Sequence, residues 1–272
     1  MKILSGFLKN NMTDSLTQRF KILVVGESCI RRYHIGQRGK FNSELPTPII
    51  NDVEVHTFPG LATDVGVRLA ALGHKAVLVS NDDEIVQDIF VDKKSGYHLL
   101  HVDNKNSCES CSPKKLKNVM SDEFDATIIV DNDRGFLSDL FLEKVMPNLP
   151  QPIFVDTKKE KLSVFEGCII KLNEERSRSV TRFPLNYELI VTLPAGGAYH
   201  RGTHYPGVFN SVFDSQGLSE AFFVGFIVRY LEGQDVIESI GFGNTCAEIN
   251  AQHRGYYNVT TSDVGAELKD YR

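Results

Sequence analysis

The segment "NSVFDSQGLSEAFFVGFIVRYLEG" (210–233) passes from an extended, turn-rich run straight into a long apolar helix. Its junction is the tetrad Gly217, Leu218, Ser219 and Glu220. A helix start leaves its first amide N–H groups unpaired and carries the positive end of the helix dipole. Small residues there let an anion approach the backbone. Glu220, in the first turn, would stand beside such an anion and accept a proton from an attacking hydroxyl. The N–H groups would hold the charge building on a transferring phosphoryl group. The same letters also describe an ordinary helix start, with Ser219 as cap and Glu220 complementing the dipole.

Upstream of this junction, six short runs rich in Ile and Val read as buried parallel strands: 21–26, 76–80, 126–131, 152–156, 167–172 and 188–193. Helical patterns at 64–74, 137–148, 219–233 and 235–255 are placed among and after them, most ending at Gly or Pro. Strands alternating with helices predict an α/β domain with a mainly parallel central sheet. Such sheets bind ligands beyond the carboxyl ends of their strands, where Gly26-Glu27, Asp131, Asp156 and the loop before Glu220 fall. Segments 33–58 and 96–104 are extended instead, and predict a small β lid over the site.

The bulk numbers fit this reading. The 272 residues are 42% hydrophobic and 24% charged, enough for one large domain. A net charge of -5 gives no support to a general nucleic-acid or membrane-surface role. No apolar run approaches the roughly 18 residues of a membrane span. Residues 1–20 read as a short extension rather than a signal peptide, with the domain proper over 21–272. Five scattered cysteines predict free thiols and a cytoplasmic protein. Cys108 and Cys111 form a C-x-x-C, but without a second ligand pair and in a polar loop, which disfavours zinc and thioredoxin-like redox chemistry alike. No G-x-x-x-x-G-K-[ST] occurs, and "VVGESCI" has no G-x-G-x-x-G, which excludes the common GTPase and dinucleotide loops.

Taken in order, the motifs resemble the PfkB/ribokinase family of carbohydrate kinases over about residues 21–260. The nearest likeness is to the heptose-phosphate kinase part of bifunctional ADP-heptose synthases. "VVGESCIRRYHIG" resembles the family's opening strand, Gly-Asp and Asp-Arg-Tyr; "FNSELPTPII" resembles the lid's Ser-Pro-Glu-Ala-Pro-x-Pro. "FPGLATDVGVRLAALG" resembles the first signature, Pro-Gly-Gly-Ala-Ala-Asn before a helix. "IIVDNDRGFL", "VDTKKE", "KLNEER" and "VTLPAGG" resemble the intervening strand ends, and "FDSQGLSEAF" the second signature, Asp-Thr-x-Gly-Ala-Gly-Asp. The resemblance implies a ribokinase-like three-layer sandwich with a small β lid. It also implies ATP-dependent phosphorylation of a sugar or sugar phosphate with Mg2+.

By the same resemblance, Glu220 is the catalytic base, and the amides of Gly217, Leu218, Ser219 and Glu220 form the anion loop. Asn173, Thr192, Gly197, Asn244 and Lys158 fall on the nucleotide side. Glu27, Arg31, Gly60, Asp64 and Arg134 fall on the substrate side, and Glu174 or Glu175 would assist magnesium through the nucleotide. Several positions depart from the family pattern. Glu220 replaces an aspartate, and roughly an ångström of displacement can cost about a hundredfold in rate. Leu218 and Ser219 replace Ala and Gly, Leu61 replaces a glycine, Asp64 an asparagine, and Arg176 the glutamate of Asn-x-x-Glu. Arg31 replaces a sugar-binding aspartate, reversing the charge. With Arg32 and Arg134 it would form a basic pocket for an acidic ligand; otherwise Arg31 and Arg32 would pair with lid acids such as Glu44.

Two readings of function therefore stand side by side: a working sugar kinase with a relocated substrate site, and a silent relative that keeps the fold as a binding or interaction module. The exposed edges of the lid also predict a homodimer through it.

Overall fold

In the computed structural model, residues 19–194, 196–207, 217–253 and 256–270 are described. The central sheet has eight strands. They are β1 (Lys21–Gly26), β4 (Lys75–Val79), β7 (Ala126–Asp131), β8 (Ile153–Thr157), β9 (Ile169–Asn173), β10 (Glu188–Thr192), β11 (Ala198–His200) and β12 (Thr203–Tyr205). Their order is β12-β11-β10-β9-β8-β7-β1-β4. From β4 to β10 every pairing is parallel, and the β10–β11 and β11–β12 pairings are antiparallel.

Period-two alternation explains the layers. Ile22 and Val24 of β1 join one core with α1 (Ala62–Ala71), α5 (Leu218–Gly233) and α6 (Val236–Ala251). Leu23 and Val25 join a second core with the short α2 (Pro113–Lys117) and α3 (Asp139–Val145) on the other face. Helix α5 is buried from Ala221 through Arg229, because it lies between the sheet and α6 and needs no polar stripe there. It ends at Gln234, whose left-handed backbone (φ 54°) returns its N–H to the Tyr230 carbonyl. The stop expected at Gly233 thus falls one residue later.

A separate four-stranded sheet, ordered β3-β2-β5-β6, forms the lid. Strands β2 (Ser28–Phe41) and β3 (Pro48–Leu61) make the long hairpin expected from 33–58, and β6 (His98–Asp103) the strand expected at 96–104. Strand β5 (Val86–Asp92) runs parallel to β2 and is an addition to the expected set. One lid face carries a small core of Tyr33, Ile89 and Val91. The α/β class with a mainly parallel sheet and a small β lid is as the sequence predicts. Two further helices, α4 (Glu174–Ser179) and α7 (Thr261–Asp270), complete the described chain. Most of the expected 1–20 extension lies outside the described residues, as does the "FDSQ" part of the second signature. No helix among the described residues is long and apolar enough to cross a membrane.

Candidate functional site

The first turn of α5 begins at Gly217, whose backbone is left-handed (φ 71°) and which offers no side-chain cap. Ser219 is therefore not the cap that one reading expected; it lies inside the helix. The turn admits only a residue without Cβ, since a Cβ on Gly217 would stand 2.3 Å from Arg68 Nη2. Leu218, Ser219 and Glu220 are all partly accessible.

Glu220 faces the lid. Its Oε1 accepts a hydrogen bond from Arg31 Nη2 of β2 at 3.3 Å. Arg31 Nη1 lies 3.7 Å from Asp64 Oδ2, and Arg31 Nε donates to Gln87 Oε1 at 3.4 Å. Asp64, fully buried in the first turn of α1, accepts from Arg68 Nε at 2.9 Å and from the Tyr256 hydroxyl at 2.7 Å through Oδ1. Its Oδ2 is buried without a hydrogen-bond partner among the described residues. Arg68 also donates to Asn250 Oδ1 and to the Tyr257 carbonyl, both at 3.0 Å, and lies over the Tyr256 ring. The i,i+4 spacing of Asp64 and Arg68 on α1 places this pair on one helix face.

The electrostatics follow from this crowding. Burial favours the neutral form of Glu220, but the charges of Arg31, Arg68 and Lys171 together outweigh it and hold the carboxyl at about 2. Asp64 moves the opposite way: burial, aided by the Glu220 charge, raises it despite Arg68, Tyr256 and Arg31. Burial opposes the Arg31 charge, yet Glu220 and Asp64 raise its pKa.

A polar chain continues from Arg31 along the lid. Gln87 Nε2 donates to Asp103 Oδ1 at 2.9 Å, and Asp103 Oδ2 accepts from Arg134 Nη2 at 2.8 Å. Arg31 and Arg134 are thus linked through Gln87 and Asp103. Arg32 does not join them; it makes a two-point pair with Asp88, and the lid acid it finds is Asp88 rather than Glu44. Gly60, expected on the substrate side, is closely packed: a Cβ there would meet Cys29 Sγ at 2.4 Å and Arg31 Nε at 3.0 Å. Glu27 is fully buried, and its carboxylate accepts from the Asn132 and Arg134 amides at 2.8 and 3.2 Å, tying the end of β1 to the loop after β7.

The remaining expected residues lie beyond the carboxyl ends of β8 to β10 and on α6. Asn173 caps α4, accepting from the Arg176 amide at 2.7 Å. Thr192 donates to the Leu172 carbonyl. Gly197 (φ 90°) closes the turn into β11, where a Cβ would stand 2.4 Å from the Tyr205 carbonyl oxygen. Asn244 Nδ2 donates to that same carbonyl at 3.2 Å. Lys158 lines a cleft of about 430 Å³ with Asn132, Asp133, Lys159, Lys161 and Arg176. Burial, with the charges of Arg134 and Arg176, lowers its pKa. Glu174 pairs with Arg178 at 2.6 Å, and Glu175 is exposed. Among the described residues no cluster of three or more His, Cys, Asp or Glu side chains is arranged to hold a metal ion. Cys108 and Cys111 are free thiols.

Sequence reasoning missed Arg68, Gln87, Lys171 and Tyr256. Only the Asp64–Arg68 spacing carried a local signal; the others come to the site from β5, β9 and the segment after α6, across long stretches of chain.

The sequence matches no protein-family model. It is 22% identical over 295 residues to a "Bifunctional protein HldE" of Nitratiruptor sp., covering 90% of this chain and 64% of that protein. It is 24% identical over 308 residues to the protein of the same name from Aeromonas salmonicida, covering 91% and 63%. The chain thus spans less than two thirds of the length of these relatives. Among solved structures, ribokinase of Thermotoga maritima superposes with a TM-score of 0.66 at 18% identity, covering 92% of this chain and 99% of that one. A phosphofructokinase-2 mutant of Escherichia coli gives 0.69 at 12%, covering 93% and 99%. Arabidopsis thaliana ribokinase complexed with ribose and ATP gives 0.64 at 15%, with the same two coverages.

Proposed function

Since the chain is a PfkB-like carbohydrate-kinase homologue with the ribokinase fold, we propose that it transfers a phosphoryl group from ATP to the hydroxyl of a sugar or sugar phosphate. The observation that carries this reading is the placement of Glu220. It stands in the first turn of α5, directly after the left-handed Gly217, and faces the lid residue Arg31.

In this mechanism the acceptor hydroxyl gives its proton to Glu220. Its oxygen forms a bond to the γ-phosphorus while the bond from that phosphorus to the bridging oxygen breaks, and ADP leaves with the electron pair. The amides of Gly217, Leu218, Ser219 and Glu220 hold the charge on the transferring group. Arg68, packed against Gly217, adds positive potential to that turn. Lys158, Asn173, Thr192, Gly197 and Asn244 form the nucleotide side, and Asp64 and Arg134 frame the acceptor side, with Glu27 and Gly60 packed behind them. Magnesium, when bound, screens the nucleotide phosphates. Carboxylate oxygens suit this hard cation, which is commonly held by one or two of them plus phosphates, and Glu175 is the open one beside Glu174. The lid's outer face exposes Val55 and Leu100, and a homodimer forms through it.

ATP consumption by the purified protein against a panel of sugars and sugar phosphates tests the reading. Turnover that depends on one acceptor supports it; none with any acceptor counts against it.

A second reading, a silent relative acting as a binding module, is favoured by the close packing at Gly60 and by the ion pair that holds Glu220 at about 2. A carboxylate so acidic is a weak proton acceptor. Nucleotide-induced thermal stabilisation bears on it: no shift with millimolar Mg-ATP or Mg-ADP supports the silent module.

A further inference from the structure

Among the described residues, Arg31 has three polar partners and none at close range: Glu220 at 3.3 Å, Gln87 Oε1 at 3.4 Å and Asp64 Oδ2 at 3.7 Å. A charge-assisted N–H···O bond is ordinarily about 2.7–2.9 Å. Next to it, the wholly buried Asp64 Oδ2 has no hydrogen-bond partner among the described residues, although buried polar atoms are normally paired. A loosely held cation and an unpaired acceptor thus meet where α5 begins. The stem of Arg31 packs against Gly60, and the side chain keeps 17% of its surface exposed.

On the basis of the kinase reading above, we propose that the acceptor is a hydroxy acid. Its oxyanion sits on the same carbon as the reacting hydroxyl or on the neighbouring one, and binding of that oxyanion draws Arg31 off Glu220. The constraint is geometric. Arg31 Nη2 and Glu220 Oε1 are 3.3 Å apart when paired, and with the Arg31 stem packed at Gly60 the guanidinium swings only a short way off the acid, so groups bound to each lie close together on the ligand. A phosphate at the far end of a sugar cannot reach Arg31 while its hydroxyl reaches Glu220. A second ligand hydroxyl donates to Asp64 Oδ2. Drawing Arg31 away also removes one of the charges that suppress the basicity of Glu220, so the base becomes competent only when the acidic acceptor is in place. Arg31 then serves as the specificity-determining residue for an oxyanion.

Thermal shift and calorimetry on the whole chain with Mg-ADP present test this without requiring turnover. The probes are gluconate (carboxylate beside a hydroxyl), glycerol 2-phosphate (phosphate beside a hydroxyl), neutral glucitol, and glucose 6-phosphate. The first or the second binds, and which one does separates carboxylate from phosphate recognition. Glucitol and glucose 6-phosphate bind at least about tenfold more weakly, the loss expected when a charge-assisted bond is not made. Arg31→Gln loses that preference, and Arg31→Lys, which keeps the charge, retains part of it. Equal or tighter binding of glucitol, no binding of either adjacent oxyanion, or an Arg31→Gln variant that still prefers them overturns the proposal. Phosphorylation of neutral acceptors alone would overturn it while leaving the kinase reading intact. Arg31-dependent oxyanion binding without phosphorylation of any acceptor would do the reverse.

Discussion

The guanidinium of Arg31, on the lid strand β2, lies 3.3 Å from the carboxylate of Glu220 in the first turn of α5, joining positions 189 residues apart. The contact ties the lid to the helix start and, with Arg68 and Lys171, keeps the Glu220 carboxyl acidic.

Glu220→Gln removes the proton acceptor but keeps the length and one hydrogen-bond acceptor for Arg31. Steady-state kinetics with an accepted substrate should show kcat reduced by about a hundredfold or more, the usual contribution of a positioned base, with little change in KM. Unchanged turnover would show that another group takes the proton.

Arg68 and Asp64 form a pair with side chains 3% and 0% exposed. Arg68→Met leaves a buried carboxylate without its cation, and removal of one partner of a buried pair costs about 3–5 kcal/mol. Urea unfolding should show this loss, with a smaller one for Asp64→Asn. A loss below about 1 kcal/mol in Arg68→Met would mean that Tyr256 and Arg31 suffice to hold Asp64.

Leu61 has φ 60° and ψ -129°, a conformation natural to glycine, yet it is buried at the start of α1. Leu61→Ala keeps the backbone strain and loses the apolar contacts; Leu61→Gly loses the contacts but relieves strain worth about 1–3 kcal/mol. Leu61→Gly should therefore be the more stable of the two, inverting the usual advantage of alanine. The opposite order in melting experiments would place the strain elsewhere.

Asp131 is buried at the end of β7. Burial and the nearby Glu27 charge raise its carboxyl to about 7, against the pull of Lys159. The folded chain then binds this proton more tightly than the unfolded chain, so the contribution of Asp131 to stability falls as pH rises from about 4 to about 7. Asp131→Asn keeps an oxygen for the Asp133 amide and should flatten that slope. Denaturation at pH 5 and pH 8 should show the variant gaining on the parent at the higher pH; a parent whose stability does not fall over this window would contradict the assignment.

A homodimer through the lid should give a dimeric mass by light scattering at micromolar concentration. Val55→Lys combined with Leu100→Lys, on exposed positions of the outer face, should shift it to monomer. A monomeric parent would dismiss the interface.

Much of the architecture was legible residue by residue. The runs at 21–26 and 126–131 coincide with β1 and β7, because a strand covered on both faces must be apolar throughout. The lid hairpin was legible from its extended pattern. Strand β5 was not, since Gln87 and Asp88 interrupt its apolar run; both face polar partners on neighbouring elements. In the site, Gly217 and Glu220 were visible from the turn-to-helix junction, and so was the charge reversal at Arg31.

By itself the sequence determined the parallel sheet, the layers of helices, the lid and the acid at the start of α5, because these depend on local patterns of apolar, small and turn-forming residues. Only the tertiary structure decided that Arg31 lies on Glu220 rather than on a lid acid, that Arg68 backs Gly217, and that one Asp64 oxygen has no hydrogen-bond partner among the described residues. Those outcomes depend on which side chains from distant segments meet in a buried, weakly screened space, where a displacement of an ångström or two selects the partner, and no local pattern encodes that distance.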